Sequence, residues 1–306
     1  MALRERNRVK RITASGGGTL VAPNHESFLV KDIYCVPSAH DDYLTILVEG
    51  VNVAKYRVKG LAGNHLPYPC VKTTQLYEAT RGTIISQLRA AGLDLSIPVP
   101  SGQTLTVSRY AEAGDVCLVY DAYDRDDIAE DAPNGPRARI RRYLHYVTNS
   151  AAITSSPVTL DQSLIWTGGD AWPIGGLDVP HNTIIRVVGL VGCPVAKGDG
   201  SNNKGYCQYL KLLKEGDVLM SDDQVGIPFL GDSSVTAATA AYTPVASVIG
   251  PATAERPYPA MIFPEPLEFT TGQTLTLQVT VGNAAASGIA AGEIDLALII
   301  EREITG

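Results

Sequence analysis

Gly102-Gln103-Thr104-Leu105-Thr106-Val107 returns as Gly272-Gln273-Thr274-Leu275-Thr276-Leu277, and this echo decides how the rest of the chain is read. Both copies alternate Thr with apolar residues, the period of a half-buried strand. Prolines precede each one, Pro98 and Pro100 in the first, Pro264 and Pro266 in the second. A Gly-acid-apolar run follows each, from Gly114-Asp115-Val116 to Tyr120 and from Gly292-Glu293-Ile294 to Ile299. Such an echo is weak alone in β-rich sequence, so matches in the same order elsewhere carry the argument. Pro23 and Pro37 bracket an apolar run, and Pro180 and Pro194 bracket another, fourteen positions apart in both cases. Leu44-x-x-Leu47-x-Glu49-Gly50 is matched by Leu210-x-x-Leu213-x-Glu215-Gly216. The offsets between matched anchors rise in order, 157, 166 and 170, as loop insertions make them. The pattern predicts a tandem duplication of one antiparallel β-sandwich domain.

Whole-chain properties agree with that class. The 306 residues suffice for two domains of ordinary size. Hydrophobic residues at 45% and charged residues at 19% place the chain among folded proteins. A content of 29 Gly and 19 Pro points to strands joined by turns. The net charge of −7 argues against a general nucleic-acid binder. Five cysteines, an odd number without Cys-x-x-Cys, read as reduced thiols. Met1 to Ile12 lacks the apolar core of a secretory signal, and no apolar run approaches the ~20 residues that cross a bilayer. The expectation is a soluble product of the cytoplasm.

Taken in order, residues 1–18 read as a basic flexible arm, with Arg4, Arg6, Arg8, Lys10 and Arg11 against the single Glu5. Such an arm suits a neighbouring subunit, nucleic acid or a membrane surface, and deleting residues 2–15 is expected to leave the fold intact. Residues 19–128 form the expected first sandwich, with one short helix over Thr83 to Ala91. Residues 129–176 read as a linker and packing segment. Within it Arg137, Arg139 and Arg141 fall on one face of an extended strand, which either neutralises the acidic run Asp124–Asp131 or makes a contact. Trp166 and Trp172 follow. Residues 177–306 form the second sandwich, interrupted by a small-residue excursion from Gly231 to Tyr258.

No catalytic constellation emerges. His40-Asp41-Asp42 offers the beginning of an iron triad without a placed second histidine. The five histidines contain no His-x-His. The Asp124–Asp131 run does not have the spacing of a calcium loop. Nucleophile-elbow, phosphate-loop, dinucleotide and zinc signatures are missing from the sequence. No enzyme activity, metal or cofactor is expected.

Two tandem β units, a basic terminus and long small-residue loops make the chain resemble the small double jelly-roll capsid proteins of viruses and phages. The resemblance covers roughly residues 19–304 and rests on the repeated Pro…Gly-Gln-Thr-Leu-Thr…Gly-Asp/Glu pattern. It implies two jelly-roll-like domains, a homotrimer, residence in the virion alongside other virion proteins, and inward-facing Arg4 to Arg11. A cement or decoration protein on the outside of another shell is the neighbouring alternative. A carbohydrate-binding adhesin, with Trp166 and Trp172 as stacking platforms, is the alternative of another class. A jelly-roll metal-dependent oxygenase ranks last.

Overall fold

The computed structural model describes residues 3–12, 17–35, 41–59, 84–109, 116–152, 157–163, 171–193, 207–228, 261–281, 291 and 295–306. The fold is all-β, with four antiparallel sheets in a sandwich-like arrangement and one short helix among the described residues. The chain divides into two units.

The described residues of the first unit fall within Met1–Leu61, Tyr68–Leu144 and Glu301–Glu303. Its strands are β1 (Leu3–Ile12), β2 (Gly18–Val21), β3 (Glu26–Cys35), β4 (Asp41–Val48) and β5 (Val51–Lys59), then β6 (Ile97–Val99), β7 (Thr104–Arg109) and β8 (Val116–Asp124). Helix α1 (Ile84–Ala90) lies between β5 and β6. One sheet has the order β1-β8-β3-β6 and the other β2-β7-β4-β5. Burial follows the pleat: Leu44, Ile46 and Val48 on β4, Leu105 and Val107 on β7, and Val116 and Leu118 on β8 are buried while their neighbours are half-exposed. Those alternating side chains form the core of the unit.

The described residues of the second unit fall within His145–Ile300 and Ile304–Gly306. Its sheets use β9 (Ile140–Thr148), β10 (Val158–Thr159), β11 (Gln162–Ser163), β12 (Thr183–Cys193), β13 (Cys207–Lys214) and β14 (Asp217–Leu219). They continue with β15 (Ile227–Pro228), β16 (Met261–Thr270), β17 (Leu275–Val281) and β18 (Asp295–Ile304). The orders are β11-β9-β18-β12-β16 and β10-β17-β13-β14, with β15 beside β13. Setting aside β11 and β15, these are the same two orders as in the first unit, strand for strand along the sequence. Strands β9 and β18 each carry residues of both units.

The repeated phrases occupy equivalent positions. Glu49-Gly50 joins β4 to β5 and Glu215-Gly216 joins β13 to β14, both as two-residue hairpin loops. All four residues have positive φ, from 49° to 93°, as the primed hairpin turns require. Glycine accepts this freely; the glutamates are held there by their carboxylates. Glu49 Oε1 accepts from Thr104 N at 2.7 Å, and Glu215 Oε1 accepts from Thr274 N at 2.5 Å and Thr274 Oγ1 at 2.9 Å. The glycine of each Gly-Gln-Thr phrase donates to the residue preceding a bracketing proline, Gly102 N to Ala22 O at 3.0 Å and Gly272 N to Val179 O at 3.1 Å.

Two expectations are corrected. Residues 3–12 are no flexible arm but strand β1, paired with β8 from Leu3↔Tyr123 to Ile12↔Val116. Residues 129–176 are no mere linker: β9, β10 and β11 lie there, and residues 129–144 belong to the first unit. The expected short helix is present as Ile84–Ala90, with Gly92 at φ +86° beyond it. The excursion Gly231–Tyr258, the loop of residues 60–69 and His40 lie outside the described residues.

Candidate interaction surface

Among the described residues strand β1 is at the edge of its sheet, and its sequence is charged on both faces. Its inward anchor is the buried Ile12 at the C-terminal end, opposite Val116. Towards the N-terminus the pairing shifts twice, between Leu3 and Glu5 and between Glu5 and Arg8, with Asn7 at φ +54°. Such bulges twist an edge and discourage indiscriminate pairing. The bulge is pinned from below: Asn7 N donates to Asp121 Oδ1 at 2.9 Å, and Lys31 pairs with the other oxygen of the same carboxylate. Burial works against the Asp121 charge, yet the Lys31 and Asn7 hydrogen bonds together hold its carboxyl below the usual aspartate range.

The five basic side chains of β1 divide into two groups. Arg8 Nη1 donates to Glu26 Oε2 at 2.7 Å and Arg8 Nε to Glu5 Oε2 at 2.5 Å. Arg4 pairs with Asp124 at 2.5 Å and Glu26 at 3.5 Å. The Arg8 hydrogen bond, against the cost of burial, holds Glu26 below the usual glutamate range. These two arginines therefore tie β1 to β3 and β8. Arg6 and Lys10 are exposed and make no ion pair among the described residues; Arg11 is exposed as well. Val9, between them, is 62% exposed.

The other sequence-derived candidates fall elsewhere. Arg137, Arg139 and Arg141 do not share a strand face, because β9 begins only at Ile140. Arg137 sits in a turn and pairs with Glu130 at 2.7 Å, so it neutralises the acidic run; Arg139 is exposed at a bend. Arg141 donates to Pro136 O at 3.0 Å and Asn52 O at 3.4 Å, tying down the loop that precedes it. Proline and glycine in Pro133-Asn134-Gly135-Pro136 break the strand that the arginine spacing suggested. Trp172 is no stacking platform. It is 1% exposed, packs on Phe269 at a ring separation of 4.9 Å, and donates from Nε1 to Gln273 O at 3.1 Å. Trp166 lies outside the described residues. Among the described residues no group of three or more His, Cys, Asp or Glu is placed to hold a metal ion, and no helix is long and apolar enough to cross a membrane.

Sequence reasoning missed a cavity of about 530 Å³ in the first unit, walled by Leu29, Tyr123, Ile128 and Pro133 together with Arg142 and Glu301. The loop of residues 125–139 closes over it, fastened by the buried Asn134 at φ +65°. Asn134 Nδ2 donates to Ser96 O at 3.1 Å and its Oδ1 accepts from Arg142 N at 2.6 Å. Arg142 Nε pairs with Glu301 at 2.7 Å. The Asn-Gly turn was visible in the sequence; its partners on two separate segments were not. Compared with models of known protein families and with curated proteins, the chain matches none.

Proposed function

We propose that this chain is a structural subunit of a virion shell that assembles with copies of itself, each unit being a jelly roll. One observation carries the reading. The orders β1-β8-β3-β6 with β2-β7-β4-β5 and β9-β18-β12-β16 with β10-β17-β13-β14 run through eight corresponding strands twice in one chain. An eight-stranded double sheet wound in this order is what two Greek keys produce. Two such units in tandem favour the tiling proteins that the sequence resembles, for which a homotrimer is the expected building block. Duplication is supported further by the equivalent Glu-Gly turns and their carboxylate hydrogen bonds. The buried Trp172 counts against a role in stacking on sugars.

Light scattering and electron microscopy of the purified protein test the proposal. A trimer that associates further into closed particles is the expected result. A species that stays monomeric at high concentration refutes it, and a trimer that binds only to another protein's preformed shell gives the decoration role instead.

A further inference from the structure

Charge is divided unequally along the chain. Residues 1–144 contain 18 Lys and Arg against 16 Asp and Glu, a formal +2. Residues 145–306 contain 7 against 16, a formal −9, which together restore the net −7. The corresponding edges of the two units differ in the same sense. In the second unit the strand equivalent to β1 is β9, and β11 pairs with its C-terminal end at Val147 and Thr148. No strand is in that place beside β1 among the described residues. The C-terminal half of β1, Arg8 to Ile12, is regular, each residue opposite one of Tyr120 to Val116. There the edge offers the exposed Val9, and Lys10 without an ion pair among the described residues; Arg6 lies just before it. Pairing of β1 with another β1 would bring the exposed Arg6, Lys10 and Arg11 of one copy near those of the other, which like-charge repulsion disfavours. The densest group of exposed acids on described residues of the second unit is the β13–β14 hairpin and the turn after it, where Glu215, Asp217, Asp222 and Asp223 outnumber the half-buried Lys211 and Lys214 of β13.

We infer that the open β1 edge is an assembly contact taken by a second copy of this chain, whose acidic β14 hairpin faces Arg6 and Lys10. This rests on the reading of the chain as a self-assembling subunit. The contact is heterologous, first unit to second unit, so repeating it generates a ring or an open chain and not an isolated two-fold dimer. Arg4 and Arg8 do not take part, because their acids lie within the same subunit. The interface draws on opposite charges at a solvent-accessible edge, so its strength falls as salt shortens the screening length.

The test is a charge exchange read by analytical ultracentrifugation at low and high salt, on nuclease-treated full-length protein. Arg6→Glu with Lys10→Glu is expected to raise the concentration needed for assembly by about tenfold or more. Asp217→Lys with Asp222→Lys should do the same, and an equimolar mixture of the two variants should co-assemble where neither does alone. All four positions are exposed, and thermal unfolding of each variant verifies the fold; Arg6→Gln with Lys10→Gln supplies a milder form. Assembly that ignores both pairs of substitutions overturns the contact while leaving the subunit reading intact. A wild-type monomer at every salt overturns both. Assembly that disappears on nuclease treatment assigns the cations to nucleic acid and overturns the contact.

Discussion

Replacing Asp121 with alanine tests whether the basic N-terminal segment is truly a strand of the first unit. The carboxylate is 1% exposed and receives Asn7 N–H at 2.9 Å as well as the Lys31 ammonium. Lys31 is about a third exposed, with a side-chain accessibility of 32%, so water takes over much of the lost pairing. That part amounts to under ~1 kcal/mol. The Asn7 N–H loses a charged acceptor at a partly buried bulge, which costs about 1.5–3 kcal/mol. Asp121→Ala should therefore destabilise by about 1.5–4 kcal/mol in urea unfolding at neutral pH, and Asp121→Asn by about 1 kcal/mol since its carbonyl still accepts. Hydrogen exchange should accelerate in Leu3–Ile12 before anywhere else in the unit. An Asp121→Ala variant within ~0.5 kcal/mol of wild type, with β1 exchange unchanged, refutes the assignment.

The same carboxylates fix the acid response. Asp121 and Glu26 are held below their ordinary ranges, so their contribution is complete above the unfolded values near ~4 and is lost as pH falls through the lower folded ones. Asp121→Asn should flatten that acid-side decline, measured as unfolding free energy against pH; an unchanged slope contradicts the linkage. Trp172→Ala should cost about 3–5 kcal/mol, read by thermal or chemical unfolding, for loss of the Phe269 contact and the core volume. Asn134→Ala should cost about 2–3 kcal/mol, with faster exchange in the loop of residues 125–139. Removing Leu3–Ile12 should abolish cooperative unfolding of the first unit, contrary to what the sequence suggested, because β8 then becomes an uncovered edge; retention of native thermal unfolding disproves this.

The strands that sequence found are those whose sides differ. On β4, β7 and β17 every second residue is buried, so apolar and polar positions alternate visibly. The strand missed in the first copy, β1, corresponds in the second to β9, which the sequence reading began too early, at Arg137, and left within a linker. At the edge of its sheet β1 is solvated on both faces except at Ile12, and its bulges shift the alternation, which leaves a string of cations indistinguishable from a solvated tail. The front of β9, Ile140-Arg141-Arg142, is likewise basic and partly exposed, although the strand is buried from Tyr143 onwards. Trp172 sits in a Gly-Gly-Asp-Ala-Trp-Pro context that reads as loop. Only the return of residues 269–273 to meet it makes it core. The Glu-Gly anchor was legible as a motif, whereas the reach of each glutamate to a threonine 55 or 59 residues away was a matter of topology.

Arg142 finds its carboxylate 159 residues downstream, on Glu301. A ribosome adding roughly 5–20 residues per second takes about ten to thirty seconds to cover that distance. Through that interval the nascent first unit has delivered all of residues 1–144 and still lacks the last residue lining its cavity. A message cut short before codon 301 would release a protein whose first unit lacks the partner of Arg142.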